Sequence, residues 1–155
     1  MFTVGEIFSI AVKIEENGER FYREALAGST EPALKELFQW LADEEARHKN
    51  YFLEIKTSLN ALNGAPWDAQ MGEAILQSVV KDRMFSLDEV QVNSIKDEND
   101  LIRVGLELEE DSIKFYEIIV SFLDDAETVK HINEIIKEER KHAEYLTKRT
   151  PAQLF

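Results

Sequence analysis

Six side chains stand out by type and spacing. Glu15 is followed thirty residues later by Glu45, with His48 three beyond it; Glu109 is followed thirty residues later by Glu139, with His142 three beyond it. The offset between the two sets is 94 positions throughout. Residues three apart on a helix share a face, so Glu45 and His48 can reach one ion together, and Glu139 and His142 can do the same. Adding Glu15 and Glu109 gives four carboxylates and two imidazoles. Four carboxylates crowded into a core raise one another's pKa values, and two divalent cations would neutralise them. Oxygen ligands with two imidazoles and no thiolate suit iron or manganese and, less distinctively, zinc. The chemistry to expect is that of two metal ions held between helices.

The surroundings of the six repeat as well. Lys13-Ile14-Glu15-Glu16 recurs as Glu107-Leu108-Glu109-Glu110, Phe21-Tyr22 as Phe115-Tyr116, Glu44-Glu45-Ala46-Arg47-His48 as Glu138-Glu139-Arg140-Lys141-His142, and Tyr51 as Tyr145. A single Glu-x-x-His on a helix reads best as a surface ion pair, which contributes little. Two such pairs, each following a glutamate buried by periodicity, do not read that way. Ile7, Ile10, Ala11, Ile14, Gly18, Phe21, Tyr22 and Ala25 form an apolar stripe at helical spacing, and Glu15 falls inside it while Glu16 lies on the polar side. A carboxylate on a buried stripe costs several kcal/mol unless it is paired or binds metal. The same test selects Glu109, among Ile102, Gly105, Leu106, Ser112, Ile113 and Tyr116, over Glu110. Tyr22 and Tyr116 lie seven residues past Glu15 and Glu109, two turns along the same face, where their hydroxyls could donate to site carboxylates. Packing as amphipathic core tyrosines is the competing reading. His131 has no glutamate three residues before it and aligns with Leu37, so it reads as structural; Trp40 and Trp67 read as packing residues.

Four helices must position these groups. Thr3 and Glu6 form a capping box, with Phe2 and Ile7 as a hydrophobic staple, for a first helix reaching about Ala27. Ser29-Thr30-Glu31-Pro32 supplies a capping hydroxyl and an early proline for the second, which carries Leu34, Leu37, Phe38, Leu41, Glu45, His48, Phe52, Ile55 and Leu59 inward and ends at Asn63-Gly64. The third runs from about Asp97 to Asp124; Asp124-Asp125 caps the fourth, which runs to about Arg149. Residues 65–96 stand outside the repeat, with a short helix expected near 72–81 and another start at Ser86-Leu87-Asp88-Glu89. A connection this long suits a second and third helix that run parallel on diagonal corners of a bundle. The expectation is an all-α chain forming one domain over residues 1–155.

A formal net charge of −13 disfavours nucleic acid and anionic membrane surfaces and suits attraction of cations. The chain has no cysteine, which excludes disulfides, thiolate zinc sites, thiol catalysis and any cysteine-held iron within it. The N-terminus has no basic and apolar pattern of a signal peptide, and no run approaches transmembrane length, so a cytoplasmic location is expected.

One glutamate from each of two helices and Glu-x-x-His from each of two others is the ligand set of di-iron and di-manganese carboxylate bundles. Over Lys13–Tyr22, Leu41–Tyr51, Leu106–Tyr116 and Ile135–Tyr145 the sequence resembles the ferritin-like domain of rubrerythrins. The resemblance implies a ferritin-like four-helix bundle with a left-handed crossover between helices two and three. It implies two iron ions bridged by Glu45 and Glu139, with Glu15 and Glu109 as terminal carboxylates and His48 and His142 on one ion each. It implies redox activity toward hydrogen peroxide or dioxygen, of peroxidase or ferroxidase type, and a homodimer. Two departures stand out. Rubrerythrins carry a rubredoxin iron site, whereas this chain has no cysteine, so electrons would come from an external donor protein. Rubrerythrins also carry a further glutamate one turn after the third-helix ligand, where this chain has Ser112, with Gly18 as its counterpart in the first half. The alternatives are an iron-handling bundle without efficient turnover and a structural bundle holding a non-redox metal.

Overall fold

A computed structural model describes residues 4–61, 95 and 97–149. Among them are four helices, α1 (Val4–Gly28), α2 (Pro32–Ala61), α3 (Glu98–Phe122) and α4 (Ala126–Arg149), and no strand. None is long and apolar enough to cross a membrane. The expected capping residues Thr3 and Phe2, the elements expected near 72–81 and Ser86, Trp67 and the path of the crossover lie outside the described residues.

Local chemistry explains the helix ends. Asp97 is extended, at φ −109° and ψ 130°, and its carboxylate accepts the Asn99 N–H at 2.9 Å to open α3. Glu98 and Asp100 then place negative charge on the positive end of the helix dipole. The Asp125 carboxylate accepts the Thr128 N–H at 3.2 Å and also the Thr128 hydroxyl, and Lys148 and Arg149 sit in the last turn of α4. The start of α2 differs from expectation. Ser29 Oγ turns back to donate to Ala25 O at 2.7 Å, while Thr30 donates its N–H at 2.8 Å and its hydroxyl at 3.2 Å to Glu98. The hydroxyls therefore close α1 and tie its turn to the start of α3. Pro32 has no N–H that would need a cap.

Contacts between helices fix the topology. Tyr22 meets Gly105 and Glu109 while Tyr116 meets Glu15, so α1 and α3 run antiparallel. Trp40 meets Tyr145 and Tyr51 meets His131, so α2 and α4 are antiparallel too. Arg23 with Asp43, and Lys49 with Glu19, give the same relation for α1 and α2. Two helices antiparallel to a common neighbour are parallel to each other, which places α2 and α3 parallel on diagonal corners. The end of α2 and the start of α3 therefore lie at opposite ends of the bundle, roughly 37 Å apart for a 25-residue helix.

The core divides into two apolar layers. One gathers Ile7, Phe8, Phe52, Tyr116, Ile119 and Ile132 with their neighbours. The other gathers Phe21, Tyr22, Phe38, Leu41, Leu106 and Leu146 with theirs. On every helix the six chemical residues fall between the stretches that feed the two layers: Glu15 between Ile14 and Phe21, Glu45 and His48 between Ala42 and Phe52, Glu109 between Leu108 and Phe115, Glu139 and His142 between Ile136 and Leu146. Each buried side chain of this size contributes roughly 1.5–3 kcal/mol. The same residues that hold the bundle together close both ends of a polar chamber.

Candidate metal centre

All six residues converge in that chamber, each at most 2% exposed, while the adjacent Glu16 and Glu110 are exposed. They form two groups, Glu15, Glu45, His48 and Glu139, and Glu45, Glu109, Glu139 and His142. In each group one donor atom from every residue lies within 4.8 Å of the others. Glu45 and Glu139 belong to both groups. A carboxylate has two oxygens, so these two can serve two ions at once, while the remaining residues each serve one.

The electrostatics are those of carboxylates forced together out of water. Burial raises the Glu15 carboxyl well above its usual value, and the Glu45 charge and a hydrogen bond to Glu45 add to this. Burial and the charges of Glu139 and Glu109 raise Glu45 likewise. Glu139 is pushed up by burial and by Glu109 and Glu15, whereas Glu109 is held low against burial by its hydrogen bond with Glu139 and by His142. Burial works against a charged His48, but the Glu139 charge and hydrogen bonds to Glu138 and Glu139 outweigh it and hold the ring near pKa 10. Its Nδ1 lies 2.8 Å from Glu139 Oε1. His142 is raised for the same reason, against burial, chiefly by Glu109. Protons thus carry the neutralising charge in the metal-free cluster.

Those protons do not satisfy every group. Among the described residues, the buried side-chain polar atoms without a hydrogen-bond partner are Glu15 Oε2, Glu109 Oε2, Glu139 Oε2 and the two ring nitrogens of His142. An unpaired buried polar atom costs about 1–3 kcal/mol, and more when charged. All of them belong to the six residues; each carboxylate oxygen, and one ring nitrogen of a neutral His142, can offer a lone pair to a cation. The donor set fits two divalent ions.

Both tyrosines take the place expected of hydrogen-bond donors. Tyr22 Oη donates to Glu109 Oε1 at 2.7 Å, and Tyr116 Oη donates to Glu15 across the bundle. Burial and the neighbouring carboxylate charges raise both phenols well above their usual value, so they stay protonated. Gly105 makes room for the first of these bonds. A Cβ there would come 3.2 Å from Tyr22 Cε1 and 3.3 Å from Leu146 Cδ1. We expect Gly105→Ala to displace the Tyr22 ring from Glu109 and to destabilise the fold by about 1–3 kcal/mol, read by denaturant unfolding.

Glu138 escapes the sequence reading, because it lies one residue from a site glutamate and on the polar side of α4. Its Oε2 sits 2.7 Å from His48 Nε2 and also pairs with Arg47. The only sequence signal for it is its place beside Glu139 in the repeat. Trp40 is read as packing, and it packs on the site itself: its ring lies 5.0 Å from that of His142. His131 is not a core residue. It is exposed and lies against Tyr51 at 5.4 Å between ring centroids.

The geometry defines a ferritin-like bundle with a carboxylate–histidine cluster. The sequence matches the rubrerythrin family over residues 6–149, and the chain belongs to that family. Its fold is similar to that of a crystallised protein from Thermotoga maritima described as a ferritin-like diiron-carboxylate protein. The TM-score is 0.67 at 23% identity, with 95% of this chain and 93% of that one covered. No curated protein is significantly similar to the chain.

Proposed function

We propose that the chain is a di-iron carboxylate protein with redox activity toward hydrogen peroxide or dioxygen, as a peroxidase or a ferroxidase. The observation that carries this reading is the sharing of Glu45 and Glu139 between two donor groups inside a chamber closed by apolar layers. Glu15 and His48 would complete one ion and Glu109 and His142 the other. When bound, a pair of ferrous ions would supply two electrons to the oxidant. The residues of the chain hold and orient. Tyr22 and Tyr116 keep protons on Oη and fix Glu109 and Glu15 by hydrogen bonds, and Phe8, Phe52, Phe21 and Phe38 exclude water. Reduction of peroxide to water consumes two electrons and two protons. With no cysteine in the chain, we assign the electrons to an external donor protein. A homodimer is the assembly we propose, and light scattering tests it.

One observation favours a second reading, iron handling without efficient turnover. Ser112 Oγ donates to Leu108 O at 2.9 Å, so α3 offers no further carboxylate where rubrerythrins carry one. Steady-state peroxide consumption by iron-loaded protein, with a reduced rubredoxin as donor, separates the two. Many turnovers per chain support the peroxidase. One oxidation and no turnover would remove it and leave iron handling.

A further inference from the structure

The two halves of the chamber match in what they aim inward and differ in what stands behind their histidines. His48 presents Nδ1 to the chamber, and its Nε2 lies 2.7 Å from Glu138 Oε2 on α4. Arg47 pairs with Glu138 and so holds it in place. The counterpart of Glu138 in the other half, 94 positions earlier, is Glu44. Glu44 instead pairs with Arg47 on its own helix, at 2.8 Å. Among the described residues, His142 Nε2 has no hydrogen-bond partner. Trp40 lies against its ring, with centroids 5.0 Å apart and planes at 80°. An indole donates a hydrogen bond and cannot accept one. The position that corresponds to Trp40 in the other half is Glu134, so this contact has no twin.

A carboxylate behind a ligating imidazole fixes which nitrogen carries the proton, orients the ring and increases its basicity as a ligand. Among the described residues, one histidine has that support and the other does not. We propose that Glu138 is a positioning residue that makes the two metal positions unequal: the ion held by Glu15 and His48 binds more tightly and is loaded before the ion held by Glu109 and His142. This rests on the dinuclear reading above. At limiting metal the chain would hold a single ion, on the His48 side.

Titration of the metal-free chain with cobalt(II), followed by its visible absorbance, tests the order. The wild-type protein should fill in two steps separated by at least about tenfold, since outer partners of this kind are worth roughly 10–100-fold in affinity. Glu138→Ala, and more mildly Glu138→Gln, should weaken the first step by that factor and leave the second unchanged. His142→Ala should keep the first step alone. In the zinc-loaded protein, nitrogen-15 spectra should show His48 protonated at Nε2 with a slowly exchanging proton, and Glu138→Ala should lose that protection. Glu138 is partly exposed on the outside of α4, so a thermal melt verifies that the variants fold. Two equal steps in the wild type, or a Glu138 variant that weakens both steps alike or neither, would overturn the loading order while leaving two ions bound. Failure to bind two ions would overturn the loading order together with the dinuclear reading.

Discussion

Glu45→Ala is expected to reduce tightly bound metal from two ions per chain to at most one and to abolish reaction with peroxide. Glu45 stands in both donor groups, so its loss removes a ligand from each position. Loss of a mere outer partner costs roughly 10–100-fold in affinity, and loss of a shared ligand should exceed that. Glu45 is also confined: a Cβ at Gly18 would come 3.3 Å from its carboxyl carbon, so α1 passes directly over it. Glu16→Ala is the control, because that carboxylate is exposed and lies outside both groups. Elemental analysis after desalting and stopped-flow absorbance read the two effects. A Glu45→Ala protein that keeps two ions and full reactivity would remove the bridging role.

Metal loading should raise the melting temperature by about 8–16 °C for one ion present at a thousand times its Kd. That excess contributes about 4.1 kcal/mol, and a chain of this size gains about 2–4 °C per kcal/mol. The size of the gain depends on pH with a definite sign. In the metal-free protein Glu139 is raised to about 8 and His48 to about 10, the first by burial and neighbouring carboxylates, the second by those carboxylates against burial. A folded-state value above the ordinary one means that the native state binds the proton more tightly than the unfolded chain. The resulting stabilisation is complete below the ordinary values, 4.5 for glutamate and 6.5 for histidine, and is lost as pH rises through about 8 and about 10. Glu138 is pulled to about 2 by its hydrogen bond to His48, so its contribution is complete above 4.5 and fades only in strong acid. The metal-free protein should therefore melt several degrees lower at about pH 9 than at about pH 6.5. Divalent ions compete for the sites those protons occupy, so the gain on adding zinc should grow over the same range. Circular-dichroism melts with and without zinc measure both. A metal-free melting temperature that rises between those pH values would contradict the proton-filled cluster.

Helical periodicity carried most of the site. It distinguished Glu15 from Glu16 and Glu109 from Glu110, because an inward carboxylate interrupts an apolar stripe and an outward one does not; the burial of each pair agrees. The parallel placement of α2 and α3 followed from the length of the connection after Ala61, since a short loop would have made them antiparallel. What was not legible depends on contacts between helices. Glu138 lies on a polar face and becomes a partner of His48 only because α2 and α4 cross at that height. Tyr51 and Tyr145 match in the repeat, yet one lies tilted against His131 and the other is exposed against Trp40, because the residues facing them are not repeated. Ser29 and Thr30 have the right chemistry for a cap, but a free Ala25 carbonyl and the Glu98 carboxylate from α3 compete for them and win.

Anaerobic titration of the metal-free chain with ferrous iron, followed by hydrogen peroxide, measures both the number of bound ions and their reactivity. Saturation is expected at two irons per chain, then rapid growth of near-ultraviolet absorbance as both become ferric. Saturation at one iron or none would contradict the paired-ligand reading, and saturation at two without rapid oxidation would leave the centre standing but remove its proposed chemistry.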